Sequence, residues 1–498
     1  MTAQAKSLLR AWEYAPSDHL LHVLPLHHIH GTINALFTPL FSGSSIEFLF
    51  PFNADWVWRR LATPFLTKVN GAEENGELVA NGEATEGVAM VNGKANFDGE
   101  TDSNGKAGAV DKGTANGHIV TNGEHKTNGV AATTDEATTN GQVATNGGHK
   151  TNGEAMAKDE KPRDIVTFFT VVPTVYSRLL TTHKGLTPQL QKATREAISP
   201  AHLRINISGS AALPTPVKKA WQDLSHGNIL LERFGMTEVG MALSCGLDDA
   251  DRVDGSVGWP LPTVEARLVD VDSGEVIAPG QELSAAGKER AGEIQLRGPT
   301  VFAEYWRNPA ATAKEFVQDG DAGGRPWFKT GDVAVRRPVA GAGRSALASQ
   351  AGWTRGDPYF VLGRQSADII KSGGEKVSAL EVERELLSLP QVAEAAVCAV
   401  PSGKWGQKVG AVVVLDREKT PGGRWTPMDM RRALKRRLVN YKIPQVLRVV
   451  DHIPRNAMGK INKKLLVADV FREDFSGDEA PAPAAPVVER EAKRRRIA

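Results

Sequence analysis

The stretch LLERFGMTEVGMAL, residues 230–243, decides how the rest of the chain is read. It begins as an apolar strand, Gly235 then permits a tight backbone, and Thr237 with Glu238 present a hydroxyl and a carboxylate side by side. Such a pair suits a phosphate oxygen and a magnesium ion, which takes oxygen ligands. A polar turn whose Thr and Glu cap a helix has the same letters. What accompanies the stretch therefore carries the weight.

On its N-terminal side, RDIVTFFTVVPTVYSRLL (163–180) reads as a buried strand, a proline turn and a helix start. AHLRINISGSAAL (201–213) reads as a strand entering a loop of small residues. On its C-terminal side, VEARLVDVDSGEVI (264–277) and GEIQLRGPTVF (292–302) read as short antiparallel strands joined at glycine-containing turns. After Arg364 helical and strand patterns alternate, as a small α/β domain of about 110 residues would.

Five stretches then follow in order: SGSAAL (208–213), the opening stretch, WFKTGD (327–332), GRQSADIIKSGGEKVSALEVE (363–383) and PRNAMGKINKK (454–464). In that order they resemble the adenylate-forming superfamily of acyl-CoA synthetases, luciferases and adenylation domains. The likeness runs from Asp18 to Phe471, apart from an Asn-Gly segment and an Ala/Gly-rich insertion at 340–356. It implies an α/β fold with a truncated large N-terminal domain, made of parallel-rich sheets plus a small β-barrel region, and a small mobile α/β C-terminal domain. The large domain would occupy 1–69 and 163–363, and the mobile domain 364–475.

The resemblance also implies roles. Phe234 would stack on adenine with Ser210, Ala211 and Ala212 as the opposite wall. Thr237 would touch the α-phosphate, Glu238 would hold magnesium, and Asp332 and Arg364 would hold the ribose. Lys460 would stabilise charge as a carboxylate attacks the α-phosphorus, a role that suits a cation brought to the developing charge. Gly373 and Gly374 would be flexible residues beside a coenzyme A tunnel, with the domain hinge between Gln365 and Asp368. ATP, Mg2+ and coenzyme A are the expected small-molecule partners.

Near the start, LPLHHIHG (24–31) places three histidines in an apolar run and resembles the motif that lines the acyl pocket entrance, with His28 and His30 as contributors. A His-x-His zinc site would need a third ligand cluster, and the sequence offers none. Arg178 falls where the acyl pocket is expected, and a pocket-buried guanidinium selects a carboxylate by bidentate hydrogen bonds. Taken together these stretches resemble the malonyl-CoA synthetase branch of the superfamily. The implied reaction joins malonate to coenzyme A through malonyl-AMP, releasing AMP and pyrophosphate. Short- or medium-chain fatty acids are the alternative substrates, and a non-catalytic nucleotide- or acyl-binding relative is the alternative of another class.

The remaining features bound this reading. With 60 basic against 58 acidic residues, the charge balance creates no field that would recruit nucleic acid or an anionic membrane. Cys245 and Cys398 form no CxxC or Cys/His set, so neither a disulfide framework nor a zinc site is expected. No apolar stretch approaches the roughly 20 residues of a membrane span, and the first residues lack the apolar core of a signal peptide. The expected compartment is the cytoplasm or the mitochondrion.

Residues 70–162 repeat Asn-Gly eleven times with one aromatic, Phe97. The position that would fill a β-helical coil is Glu, Val, Gln or Gly in turn, so this segment is expected to be disordered. The tail 476–498 is expected to be flexible, its Lys-Arg cluster a solvated charge run. Relatives in the superfamily carry a Thr/Ser/Gly-rich phosphate loop ahead of the histidine motif, and no such loop stands there. The expectation is an incomplete record of an active enzyme, since Glu238, Asp332, Arg364 and Lys460 are all retained.

Overall fold

Among the residues that the structure, a computed structural model, describes (1–66, 165–318, 324–455 and 461–475), the strands gather into three sheets. The Asn-Gly segment, the tail and Lys460 lie outside the described residues. The first sheet contains β1 (His19–His22), β2 (Ser45–Phe48), β3 (Phe168–Val171), β4 (Ile205–Ser208), β5 (Leu231–Met236), β6 (Gly240–Ser244) and β7 (Trp259–Pro260). Its order is β2-β1-β3-β4-β5-β6-β7, parallel from β2 to β5 and antiparallel beyond.

Side chains along a strand alternate between faces, and the inner strands of this sheet are buried on both. Leu20, Phe168, Ile205 and Leu231 enter one core with Leu8 and Trp12 of the helix Thr2–Trp12. Leu21, Phe169 and Val171 enter the other, covered by Trp58, Tyr176 and Trp221 from three helices. The proline turn lies where the sequence placed it: Val172 is extended and Pro173 opens the helix Pro173–His183, because proline suits the first helical position and disfavours a helical residue before it.

The second sheet is antiparallel. It contains β8 (Glu265–Asp270), β9 (Val276–Ile277), β10 (Gly292–Arg297), β11 (Phe316–Val317), β12 (Trp327–Arg336) and β13 (Tyr359–Arg364). The order is β11-β12-β10-β8-β9, with β13 also paired to β12. Leu268, Ile294, Leu296 and Phe328 join it to the first core.

The third sheet belongs to the small C-terminal domain, with β14 (Ile369–Ser372), β15 (Glu375–Ser378), β16 (Val392–Ser402), β17 (Gly406–Leu415) and β18 (Val446–Val449). Alternation again makes two cores. Ala395 and Val397 face the helices Ala379–Leu387 and Pro427–Leu434, while Ala396, Cys398 and Val400 face Leu466 and Phe471. At Gly410 a Cβ would stand 2.5 Å from Val400 Cγ2 and 3.0 Å from Phe471 Cζ, so glycine there lets Phe471 seat.

Candidate active site

In an open α/β sheet, ligands settle beyond the carboxyl ends of the strands, where the strand order reverses. Here that point lies between β1 and β3, and the LPLHHIHG loop leaves β1 directly into it. The loop is held by its own residues. His22 Nε2 lies 3.1 Å from Gly31 O, Leu24 N–H donates to His22 Nδ1 at 3.3 Å, and a Cβ on Gly31 would meet Pro25 O at 2.4 Å. A π-helical turn, His30–Phe37, follows. Such turns re-aim side chains at functional sites.

His30 is the histidine that turns inward. It is buried, with Nε2 2.6 Å from Thr170 Oγ1 on β3 and Nδ1 3.5 Å from Ser210 Oγ in the loop after β4. Burial, reinforced by the Arg233 charge and the neighbouring His22 and His28, drives its pKa well below the usual range, so it is neutral at physiological pH. His28 is half-buried, its ring 4.2 Å from that of exposed His27.

Arg233, on β5, completes the cluster and was not singled out by sequence reading. It is 4% exposed, donates from Nη2 to Ser210 Oγ at 3.2 Å, and leaves Nε without a partner. Burial pushes its pKa down to about 9, against a small lift from Tyr14. Gly209 makes the room: a Cβ there would lie 2.5 Å from the guanidinium carbon. Ser210 is strained at φ 69°, which turns its hydroxyl toward both His30 and Arg233. Ala211 and Ala212 follow it as an exposed stretch of the same loop.

The Thr237-Glu238 pair sits at the tip of the β5–β6 hairpin; no helix starts there. The hairpin is tight because Gly235 faces Gly240, whose carbonyl a Cβ on Gly235 would meet at 2.2 Å. Phe234 is half-buried against the first core just below. Thr237 is exposed, and Glu238 Oε1 accepts a hydrogen bond from Tyr305 Oη at 3.1 Å. Burial and then Glu238 raise the Tyr305 hydroxyl pKa, while Arg364 lowers it. Asp332 and Arg364 face each other across β12 and β13, with Nε 3.5 Å from Oδ1. Gly331, at φ 72°, gives the Arg364 guanidinium its approach.

One expectation needs correction. Arg178 is not buried: it lies exposed on the helix Pro173–His183, its guanidinium 4.9 Å over the Phe52 ring. Val175, Tyr176, Leu179 and His183 take the inner face of that helix, leaving Arg178 outside. Gly373 and Gly374 form the two-residue turn between β14 and β15, with φ 60° and 84°, a geometry that two consecutive glycines meet without strain.

Comparison with known proteins bears on the fold and the family. The AMP-binding enzyme family matches residues 149–306, and its C-terminal domain family matches 381–460. Both domains of the AMP-binding enzyme family are thus matched, in chain order. The chain is 51% identical over 478 residues to a CoA ligase of Gibberella moniliformis, covering 95% of this chain and 65% of that one. It is 33% identical over 482 residues to the mitochondrial malonate–CoA ligase ACSF3 of Mus musculus, covering 95% and 61%. The crystal structure of ATP-bound MatB from Rhodopseudomonas palustris superposes with a TM-score of 0.59 at 26% identity, covering 94% of this chain and 63% of that one. The chain thus spans less than two thirds of the length of these relatives. Among the described residues, no helix is long and apolar enough to cross a membrane, and no three His, Cys, Asp or Glu side chains gather to hold a metal ion.

Proposed function

We propose that the protein is an AMP-forming acid–CoA ligase that acts on malonate. ATP and malonate give malonyl-AMP and pyrophosphate; the coenzyme A thiol then attacks the acyl carbon and AMP leaves. The observation that carries the substrate is Arg233, a buried cation beside neutral His30 and the Ser210 hydroxyl, with no carboxylate among its recorded partners. A dicarboxylate supplies that partner with its distal end while the near end reacts, and a monocarboxylate leaves the guanidinium unpaired. Arg233, rather than surface Arg178, takes the distal carboxylate in this reading, and His30 donates or accepts one hydrogen bond without adding charge.

Glu238, partly exposed with Tyr305 on one oxygen, fits a magnesium ion, which keeps several waters and takes its other oxygens from phosphate. When bound, the ion neutralises phosphate charge; Glu238 holds it and Tyr305 orients Glu238. Phe234 and the 210–212 loop flank adenine, Thr237 meets the α-phosphate, and Asp332 and Arg364 hold the ribose. Lys460 serves acid activation, and the turn at Gly373 and Gly374 borders the thiol's approach. We place the domain boundary after Gly363, and the reaction in the cytoplasm or, as the mitochondrial relatives suggest, in the mitochondrion.

The test measures both half-reactions on the full chain as its organism makes it. Malonate-dependent exchange of pyrophosphate into ATP reads the first, and thioester formation from supplied malonyl-AMP and coenzyme A reads the second. Malonate and methylmalonate should far exceed butyrate, since one extra methyl is weakly rejected. Equal or better use of butyrate would sink the dicarboxylate assignment.

A further inference from the structure

Lys463 opens the helix Lys463–Val470, yet its ammonium is not on the surface. Nζ lies 2.5 Å from Asp368 Oδ1 and 2.8 Å from Glu383 Oε1, and the three side chains are 12%, 15% and 14% exposed. Exposed ion pairs contribute little, whereas a buried one that loses a member leaves an uncompensated charge. The triad is therefore a geometric constraint more than a source of stability.

Each carboxylate is also tied to backbone. Asp368 Oδ2 accepts from Arg364 N–H at 3.0 Å, and the Asp368 carbonyl accepts from Ala379 N–H at 2.8 Å, where the helix Ala379–Leu387 begins. Glu383 Oε1 accepts from Val397 N–H at 2.7 Å on β16. Gly363 is required for the first contact, because a Cβ there would meet Asp368 Cβ at 2.4 Å. Burial works against the Lys463 ammonium, but Glu383 and Asp368 together hold it above the usual lysine range, so it stays charged. None of these residues touches the cluster around His30.

We propose that Lys463 is a positioning residue for acid activation: with Asp368 and Glu383 it fastens the chain three residues past Lys460 to the segment that adjoins Arg364. The tie fixes where the helix Lys463–Val470 begins relative to Arg364, and Lys460 precedes that helix by three residues in the sequence. A charge-stabilising lysine acts only when placed at the developing charge, and displacement by an ångström costs about 100-fold in rate. The inference rests on the ligase reading for its consequence, but not for the tie itself.

The experiment compares Lys463→Met, Lys463→Arg and Glu383→Gln in the full chain. The expected result is a loss of about 100-fold in the kcat of pyrophosphate exchange for Lys463→Met and Glu383→Gln. The KM for malonate should stay within about twofold, and thioester formation from supplied malonyl-AMP should change by less than about threefold. Lys463→Arg should recover most of the exchange rate. Parallel loss in both half-reactions would overturn the proposal, as would full exchange activity in Lys463→Met. If the unaltered chain performs neither half-reaction, the ligase reading fails, and amide hydrogen exchange decides the tie. Protection of residues 464–470 lost in Lys463→Met and kept in Lys463→Arg supports it; unchanged protection in both overturns it.

Discussion

Replacing Arg233 by Met removes a cation while keeping much of the side chain's length, and it should move stability and activity in opposite directions. The residue is 4% exposed, and burial takes its pKa from the ordinary arginine range down to about 9. At about 1.36 kcal/mol per pH unit, that drop sets an upper bound of roughly 5 kcal/mol on what the free protein loses by holding the charge there. The sign follows from the direction: the folded protein binds this proton more weakly than the unfolded chain. The cost is therefore fully present below about pH 9 and fades as pH rises from there toward the ordinary arginine range. Against it stands one hydrogen bond to Ser210 Oγ, about 1 to 2 kcal/mol. Without ligand near neutral pH, Arg233→Met should gain about 1 to 3 kcal/mol, a rise of at least about 2 °C in Tm. For bound malonate the balance reverses, because losing the partner of a buried carboxylate costs about 2 to 5 kcal/mol. That corresponds to roughly 30-fold to several thousand-fold in kcat/KM. Thermal scans of the free protein and initial rates with malonate and butyrate read both halves. A variant that melts several degrees lower, or one whose malonate-to-butyrate ratio is unchanged, would refute the reasoning and make Arg233 a structural residue.

Three further outcomes follow from the same geometry. His22, His30 and His183 all have pKa values lowered by burial, so the unfolded chain takes up protons that the folded one refuses; stability should be complete above about pH 6.5 and decline below it, and His30→Gln should flatten that decline in a Tm–pH series. Gly373→Ala and Gly374→Ala both place Cβ at positive φ, but only at Gly373 would it meet Trp405 Cε3, at 2.8 Å; denaturant titration should show a loss of about 1 to 2 kcal/mol at Gly374 and a larger one at Gly373. Glu232→Gln strands the buried Lys218 ammonium, whose Nζ lies 2.8 Å from Glu232 Oε1, and should cost about 3 to 5 kcal/mol in chemical unfolding while leaving substrate preference as it was.

What sequence alone revealed, and what it did not, divides along physical lines. The apolar run of β3 and the Pro173 turn depend on local composition, and both lie where the letters put them. The placement of Thr237 and Glu238 depends on Gly235 and Gly240 letting a hairpin close, which the letters hinted at through Gly235 alone. His30 could not be separated from His28 in advance. The choice rests on how the loop folds back on Gly31 and on Thr170, which lies 140 residues away. Arg178 was legible and misread: the helical spacing of Val175, Tyr176, Leu179 and His183 already puts it on the outer face. Lys463 was overshadowed by Lys460, since nothing local shows that a lysine in a basic run points inward at Asp368 and Glu383.

The hardest residue to read was Arg233, and the reason lies in β5 itself. Glu232 and Arg233 are consecutive, both buried, and opposite in charge, so in the sequence they look like one self-compensating pair. A strand forbids that, because consecutive side chains leave on opposite faces. Glu232 meets Lys218 on one side and also accepts from Gly255 N–H at 3.2 Å, so its charge is closed within the fold. Arg233 emerges on the other side against Ser210, with Nε unmet. Packing alone gives no reason to keep a guanidinium there, since an apolar side chain of similar length fills the same space without the desolvation loss. The free protein is therefore less stable than it could be at one position, and the compensation we propose has a defined chemistry: an anion at the carboxyl ends of the parallel strands, between neutral His30 and the 210–212 loop.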